Sequence, residues 1–367
     1  MSNISTSMAL STEKPIVSFL NICKLHCRTT AFLSKRDASI ELWRIVCMFA
    51  VVLSHVVAVN HVARFTWFNW HIPGFLLISG YFGIRFSWRK ALKLLAIVYV
   101  LYWLTIPLRG FNENIVSVLL PHGGWFVPFY LVLMVLSPLM EAALEKSGHH
   151  RSIMIAFLLL LCVGWIPSFS GNLHVNMMRI AGMQGNGLLL MMATYILGRM
   201  LFVYRDSVLV RILRWWGFAF MIVLVMCSVA IACRFPRTSC YSSPLAIGAA
   251  MCGLAWFSGL RNKIPVKISS LIVKLSPSMF GVYIVHECCL KSWQTLPGDV
   301  GWGRVICHAI MLFAVGVGVD VLRRMCFALL NCACHMIIVA RGNRRGRRNM
   351  EAVGISSGQG QAIGCSG

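Results

Sequence analysis

Glu41, Arg44 and His55 lie on one strongly apolar stretch, Glu41-Leu-Trp-Arg44-Ile-Val-Cys-Met-Phe-Ala-Val-Val-Leu-Ser-His55. In a helix, the eleven-residue step from Arg44 to His55 is three turns plus roughly 20°. Both side chains then share a face, about 16 Å apart along the axis. Ionisable groups inside a membrane span cost several kcal/mol, so they usually face a protein-lined cavity and work there. An imidazole, with an unperturbed pKa of about 6.5, can take a proton from a hydroxyl and return it to a leaving group. A guanidinium can grip phosphate or carboxylate through a planar fork of donors. Each residue also has a structural reading. For His55 it is an interhelical hydrogen bond. For Arg44 it is interfacial anchoring or an ion pair with Glu41, three residues back on the same face.

The rest of the chain must hold that helix in a bilayer. Apolar residues make up 58% of the 367 residues, charged residues only 12%, and the mean hydropathy is +0.74. A soluble domain of this length cannot hide so much apolar surface. Apolar stretches recur at 43–60, 70–84, 91–108, 125–140, 152–168, 186–204, 212–233, 243–260, 269–290 and 305–330. At roughly 20 residues per crossing, they predict an all-α polytopic membrane protein of about ten transmembrane helices. The net charge of +23 is distributed by topology. With the N-terminus cytoplasmic, Arg64, Arg109, Arg179, Arg234, Arg237, Lys291 and Arg304 fall outside and Arg44 within its helix. The other basic residues fall inside, clustered in alternate loops. This positive-inside pattern predicts an inner-membrane protein with both termini cytoplasmic, and argues against a nucleic-acid partner. The basic run Arg341 to Arg348 suits anionic headgroups.

Residues 1–36 read as a cytoplasmic lead-in, with an interfacial helix at 15–33 and no cleavable signal peptide expected. Residues 37–340 form one membrane domain. Residues 341–367, rich in Gly, Ser and Arg, are expected to be disordered. The fifteen cysteines follow no CxxC framework and suit apolar packing; Cys332-Ala-Cys334-His335 is a weak metal pattern, and no metal site is expected. His61, His71, His122 and the pair His149-His150 fall in or beside loops, where a solvated imidazole is the default. No HxxxD signature or Walker loop is present.

Several stretches together resemble the acyltransferase-3 family of integral membrane acyltransferases. They are the acidic residue, Arg and His of Glu41, Arg44 and His55, with ten residues between the last two, and Ser79-Gly80-Tyr81-Phe82 at the end of the second helix. A basic loop with Arg85, Arg89, Lys90 and Lys93 follows, then Trp125-Phe126 through Ser137-Pro138. Tyr195-Ile-Leu-Gly198, and Ser276 followed by Phe280-Gly281-Val282-Tyr283-Ile284-Val285-His286, complete the set. Each is weak alone, but they come in the family's order over about residues 37–330.

The resemblance implies an acyltransferase-3-like helical bundle. It also implies transfer of an acyl group, commonly acetyl from acetyl-CoA, to hydroxyls of surface or exported glycans and glycolipids. On that reading acyl-CoA is a substrate and no cofactor is bound. The catalytic residue is His55. The substrate-binding or CoA-binding residues are Arg44, Glu41, Arg85, Arg89, Ser79, Tyr81, Trp125 and His286. Ser79 also has a packing role, Trp125 suits the interfacial aromatic belt, and His286 with Glu287 suits a polar helix end. Two other readings remain open: a transporter or flippase of a lipid-linked saccharide, and a structural membrane subunit.

Overall fold

A computed structural model of the protein describes residues 36–60, 67, 69–109, 126–147, 149–166, 169, 187–292 and 301–358. The helices are α1 (Ala38–Val59), α2 (His71–Phe82), α3 (Trp88–Leu104), α4 (Ile106–Arg109), α5 (Phe126–Ser147), α6 (His150–Trp165), α7 (Leu188–Val203), α8 (Val208–Arg234), α9 (Pro244–Ser258), α10 (Val266–Leu275), α11 (Met279–Ser292) and α12 (Trp302–Gly358). Short 3₁₀ turns follow α8 at Pro236–Thr238 and join α10 to α11 at Ser276–Ser278. No strand is present among the described residues.

Every apolar stretch of the sequence carries a helix. Among the described residues, five segments are long and apolar enough to cross a membrane: Ala38–Val59, Phe126–Lys146, Val208–Arg234, Val266–Cys289 and Trp302–Leu330. Shorter apolar helices cover His71–Phe82, Ser152–Trp165, Leu188–Val203 and Pro244–Ser258. The protein is therefore an all-α polytopic membrane protein.

Helix α1 is the hub, packing against α2, α9, α10, α11 and α12. Its N-cap, Asp37, accepts a hydrogen bond from the Ser39 amide and so satisfies a helix-end donor. Burial around most of its circumference explains its nearly unbroken apolar sequence. Trp43 is fully buried, stacked on Trp70 at 5.1 Å and tilted against Phe257 at 5.0 Å. Gly74 of α2 and Gly253 of α9 leave room for its indole; a methyl group at Gly253 would strike the ring. On α2 and α7, Gly80 lies against the Tyr195 carbonyl and Gly198 against the Leu77 carbonyl. Small residues bring the two backbones together, which gives the Ser-Gly and Leu-Gly motifs a packing role.

The final helix departs from expectation. Helix α12 continues through 341–358, where the Gly-, Ser- and Arg-rich composition predicts no regular structure. A span already helical supplies the costly nucleus, after which arginines propagate a helix at little cost despite interspersed glycines. The lead-in at 1–35 lies outside the described residues, as do Trp125, His61 and His122.

Candidate functional site

Near the start of α1, the Glu41 carboxylate is almost wholly buried. It accepts a hydrogen bond from Arg44 Nη1 at 2.7 Å, and Arg36 Nη1 lies 3.9 Å away. The Ser276 hydroxyl, in the turn between α10 and α11, donates to the same carboxylate oxygen that Arg44 meets. Arg44 Nη1 also reaches that hydroxyl, at 3.4 Å. Glu41 thus holds the guanidinium in place and ties α1 to α11. The i,i+3 pairing was legible in the sequence, whereas the bond to Ser276, 235 residues away, was not.

Three neighbouring cavities share Arg44. The first, about 420 Å³, runs into the bundle past Met48, Val51, Ile72 and Phe75 to Met279 and Tyr283. The second, about 390 Å³, opens beside Arg36, Asp37, Glu41, Tyr81, Phe82, Phe202, Arg205 and Arg261. The third, about 370 Å³, lies under the turn after α2 and is lined by Ser79, Gly83, Arg85, Lys90 and Tyr130. Arg36 also links the first to the second, and Ser79 the first to the third. Arg44 therefore borders all three: the second is polar and rich in arginine, the first and third largely apolar.

His55 lies one helical turn beyond Val51. Its ring meets that of His286, on α11, edge-on with centroids 5.0 Å apart. His286 is buried, and its Nδ1 sits 3.1 Å from the Val282 carbonyl. A carbonyl only accepts, so Nδ1 carries the proton and Nε2 a lone pair. That Nε2 is buried without a hydrogen-bond partner among the described residues. Tyr283, which lines the first cavity, packs against the same imidazole at 5.7 Å.

A third histidine corrects the loop reading of His71. This residue is fully buried at the start of α2, with its ring stacked on Tyr241 at 5.3 Å. Its Nδ1 accepts from the Ile72 amide at 2.7 Å, which leaves Nε2–H to donate to Ser54 Oγ at 3.0 Å. Ser54 passes its own proton to the Val51 carbonyl at 2.8 Å. Both nitrogens of His71 are thus used structurally, one of them on Ser54, the residue before His55 on α1. Tertiary packing buried a residue that its local sequence placed at a helix edge. Among the described residues, no group of three or more His, Cys, Asp or Glu is arranged to hold a metal.

The other predicted residues fall in distinct places. Ser79 lines two cavities, but its hydroxyl is spent on the Phe75 carbonyl at 3.0 Å. Tyr81 lines the second vestibule, edge-on to Phe82 and Phe202. Arg85 and Lys90 line the third cavity, and Lys90 Nζ is tied to the Arg85 carbonyl at 3.3 Å. Arg89 and Lys93 are exposed on α3 and line none of the three cavities. The turn carrying Arg85 is itself pinned. The Tyr195 hydroxyl donates to Glu141 Oε1 at 2.7 Å and accepts from the Ile84 amide at 3.0 Å, while Ser137 donates to the Ile84 carbonyl at 3.0 Å. Gly83 makes the turn possible with a φ of 73°, in the left-handed region. Arg205 and Arg261, in the second vestibule, were read from sequence only as topology signals.

Fold and site together define a polytopic membrane protein with an internal histidine pair and, on the same helix as His55, an arginine shared by three cavities. The family model described as the acyltransferase domain matches residues 37–321, and the chain belongs to this acyltransferase-3 family. It is therefore a membrane acyltransferase. No curated protein and no solved structure matches the chain.

Proposed function

We propose that the chain moves an acyl group, acetyl foremost, from acyl-CoA to a hydroxyl of an exported or cell-surface glycan or glycolipid, with His55 as general base. The observation that carries this reading is the position of Arg44 at the meeting point of three cavities, on the same helix face as His55. A phosphorylated donor held by Arg44 can extend its thioester arm along the apolar cavity. That cavity ends near Val51 and Tyr283, within one turn of the histidine pair.

His55 takes the proton of the acceptor hydroxyl as its oxygen attacks the thioester carbonyl. The carbon–sulfur bond breaks, and the proton passes to the leaving thiolate, so that an ester and free CoA leave in equal number. His286 offers a second lone pair beside His55, fixed in direction by the bond to Val282. The positive-inside charge distribution supports an inner membrane with both termini cytoplasmic, and on that reading Arg44 faces the side where acyl-CoA is found.

The test uses membranes containing the protein, labelled acetyl-CoA and a pool of cell-envelope glycans, with label and free thiol followed together. Base-labile label that His55→Ala abolishes is the expected result. Absence of both label and thiol with acetyl, succinyl and longer donors would sink the proposal.

A further inference from the structure

The second vestibule has a composition of its own. Arg36 and Arg44 come from the start of α1, Arg205 from the turn between α7 and α8, and Arg261 from the turn after α9. Against these four guanidinium groups stand two lining carboxylates, and Glu41 is already committed to Arg44 and Ser276. Asp37 meets Arg261 only at 3.6 Å, and Arg205 meets Asp206 at 3.4 Å; both arginines are exposed, where such pairs are weakly held. The cavity therefore carries surplus positive charge that an anion can take up. Its remaining wall is aromatic: Tyr81 and Phe202 meet edge-on at 5.2 Å, and Phe82 lies half exposed beside them. The Arg205 guanidinium rests over the Phe202 ring, 4.7 Å from its centre, so the charge is held at the wall.

Arginines beside aromatic faces suit a ligand that is both phosphorylated and flat. The cavity, about 390 Å³, is of a size that takes a small ligand. It shares Arg36 and Arg44 with the apolar cavity, whose lining extends to Val51, one turn before His55. The third cavity also offers cations, Arg85 and Lys90, but Lys90 is partly spent on a backbone carbonyl.

We propose that this vestibule is a phosphonucleotide site, binding the 3′-phosphorylated adenosine end of the acyl donor through Arg205 and Arg261, with the base against Tyr81, Phe82 and Phe202. This rests on the acyl-CoA reading above. Arg44 then meets the diphosphate, and the pantetheine arm continues into the apolar cavity. The same phosphate chemistry could come from an anionic lipid headgroup, and the test separates the two.

The full chain is reconstituted in nanodiscs of neutral phosphatidylcholine, and binding of adenosine 3′,5′-bisphosphate is measured. Saturable binding is expected, weakened about 3- to 10-fold in each of Arg205→Ala and Arg261→Ala and further in the double variant. No binding in neutral discs overturns the proposal, as does binding that the double variant leaves intact. Discs containing phosphatidylglycerol supply the second arm: lipid that abolishes nucleotide binding assigns the arginines to headgroups and also overturns it. In transfer assays the variants should narrow the difference in KM between acetyl-CoA and acetylpantetheine, which lacks the nucleotide. An undiminished difference refutes the assignment. Arginine-dependent nucleotide binding without transfer from either donor supports the site while sinking the acyl-CoA transfer reading.

Discussion

Replacing Arg44 by Ala separates what this residue does for the fold from what it does for the substrate. The Glu41 side chain is only 5% exposed and is bound by Arg44 at 2.7 Å and by the Ser276 hydroxyl. Removing one partner of a buried ion pair costs about 3–5 kcal/mol, because the other charge is stranded. Arg36 remains 3.9 Å from the carboxylate, and Arg44 itself is 26% exposed, so the lower end, about 3 kcal/mol, is expected. Adding Glu41→Gln removes the stranded charge and keeps an amide oxygen that can accept from Ser276. The double variant should therefore recover about 2 kcal/mol. Transfer should behave differently. Losing a charge-assisted bond to phosphate, about 1.5–3 kcal/mol, raises KM for acyl-CoA about 10- to 150-fold in single and double variants alike. The measurements are unfolding in mixed micelles by detergent titration and acetyl transfer from labelled acetyl-CoA. A double variant no more stable than the single one refutes the stranded-charge account. Transfer that returns together with stability refutes a direct role of Arg44 in donor binding.

Three further outcomes are expected. His55→Ala should lower transfer by about 10²- to 10⁴-fold with donor KM little changed, as measured by steady-state kinetics; a comparable rise in KM would instead make His55 a binding residue. His286→Phe keeps a ring against His55 and removes a buried nitrogen without a partner among the described residues, so stability should hold or rise while transfer falls about tenfold or more. Transfer at the wild-type level would show that only the shape of the ring matters. Tyr195→Phe deletes the hydroxyl that joins Glu141 to the Ile84 amide; it should cost about 1–3 kcal/mol in the same unfolding assay and raise donor KM, with unchanged stability counting against the pinned turn.

Much of this protein was local, and therefore legible in its sequence. Apolar run length against the thickness of a bilayer placed a helix on every predicted stretch. The eleven-residue step from Arg44 to His55 put both on one face because helical periodicity is set by the backbone alone. The three-residue step from Glu41 to Arg44 produced an ion pair for the same reason. What escaped was long-range. Ser276 reaches Glu41, Tyr195 reaches Ile84, and Arg205 and Arg261 share a cavity with Arg44, all from segments distant in sequence. His71 gave no sign of burial, because its cover comes from Tyr241 on another part of the chain. The 341–358 helix escaped for a related reason: its nucleus lies in the span before it, not in its own composition. Sequence alone determined the spans and the spacing of groups along each one. Which polar groups meet was decided only by packing, since that depends on the close approaches allowed by residues such as Gly80 and Gly198.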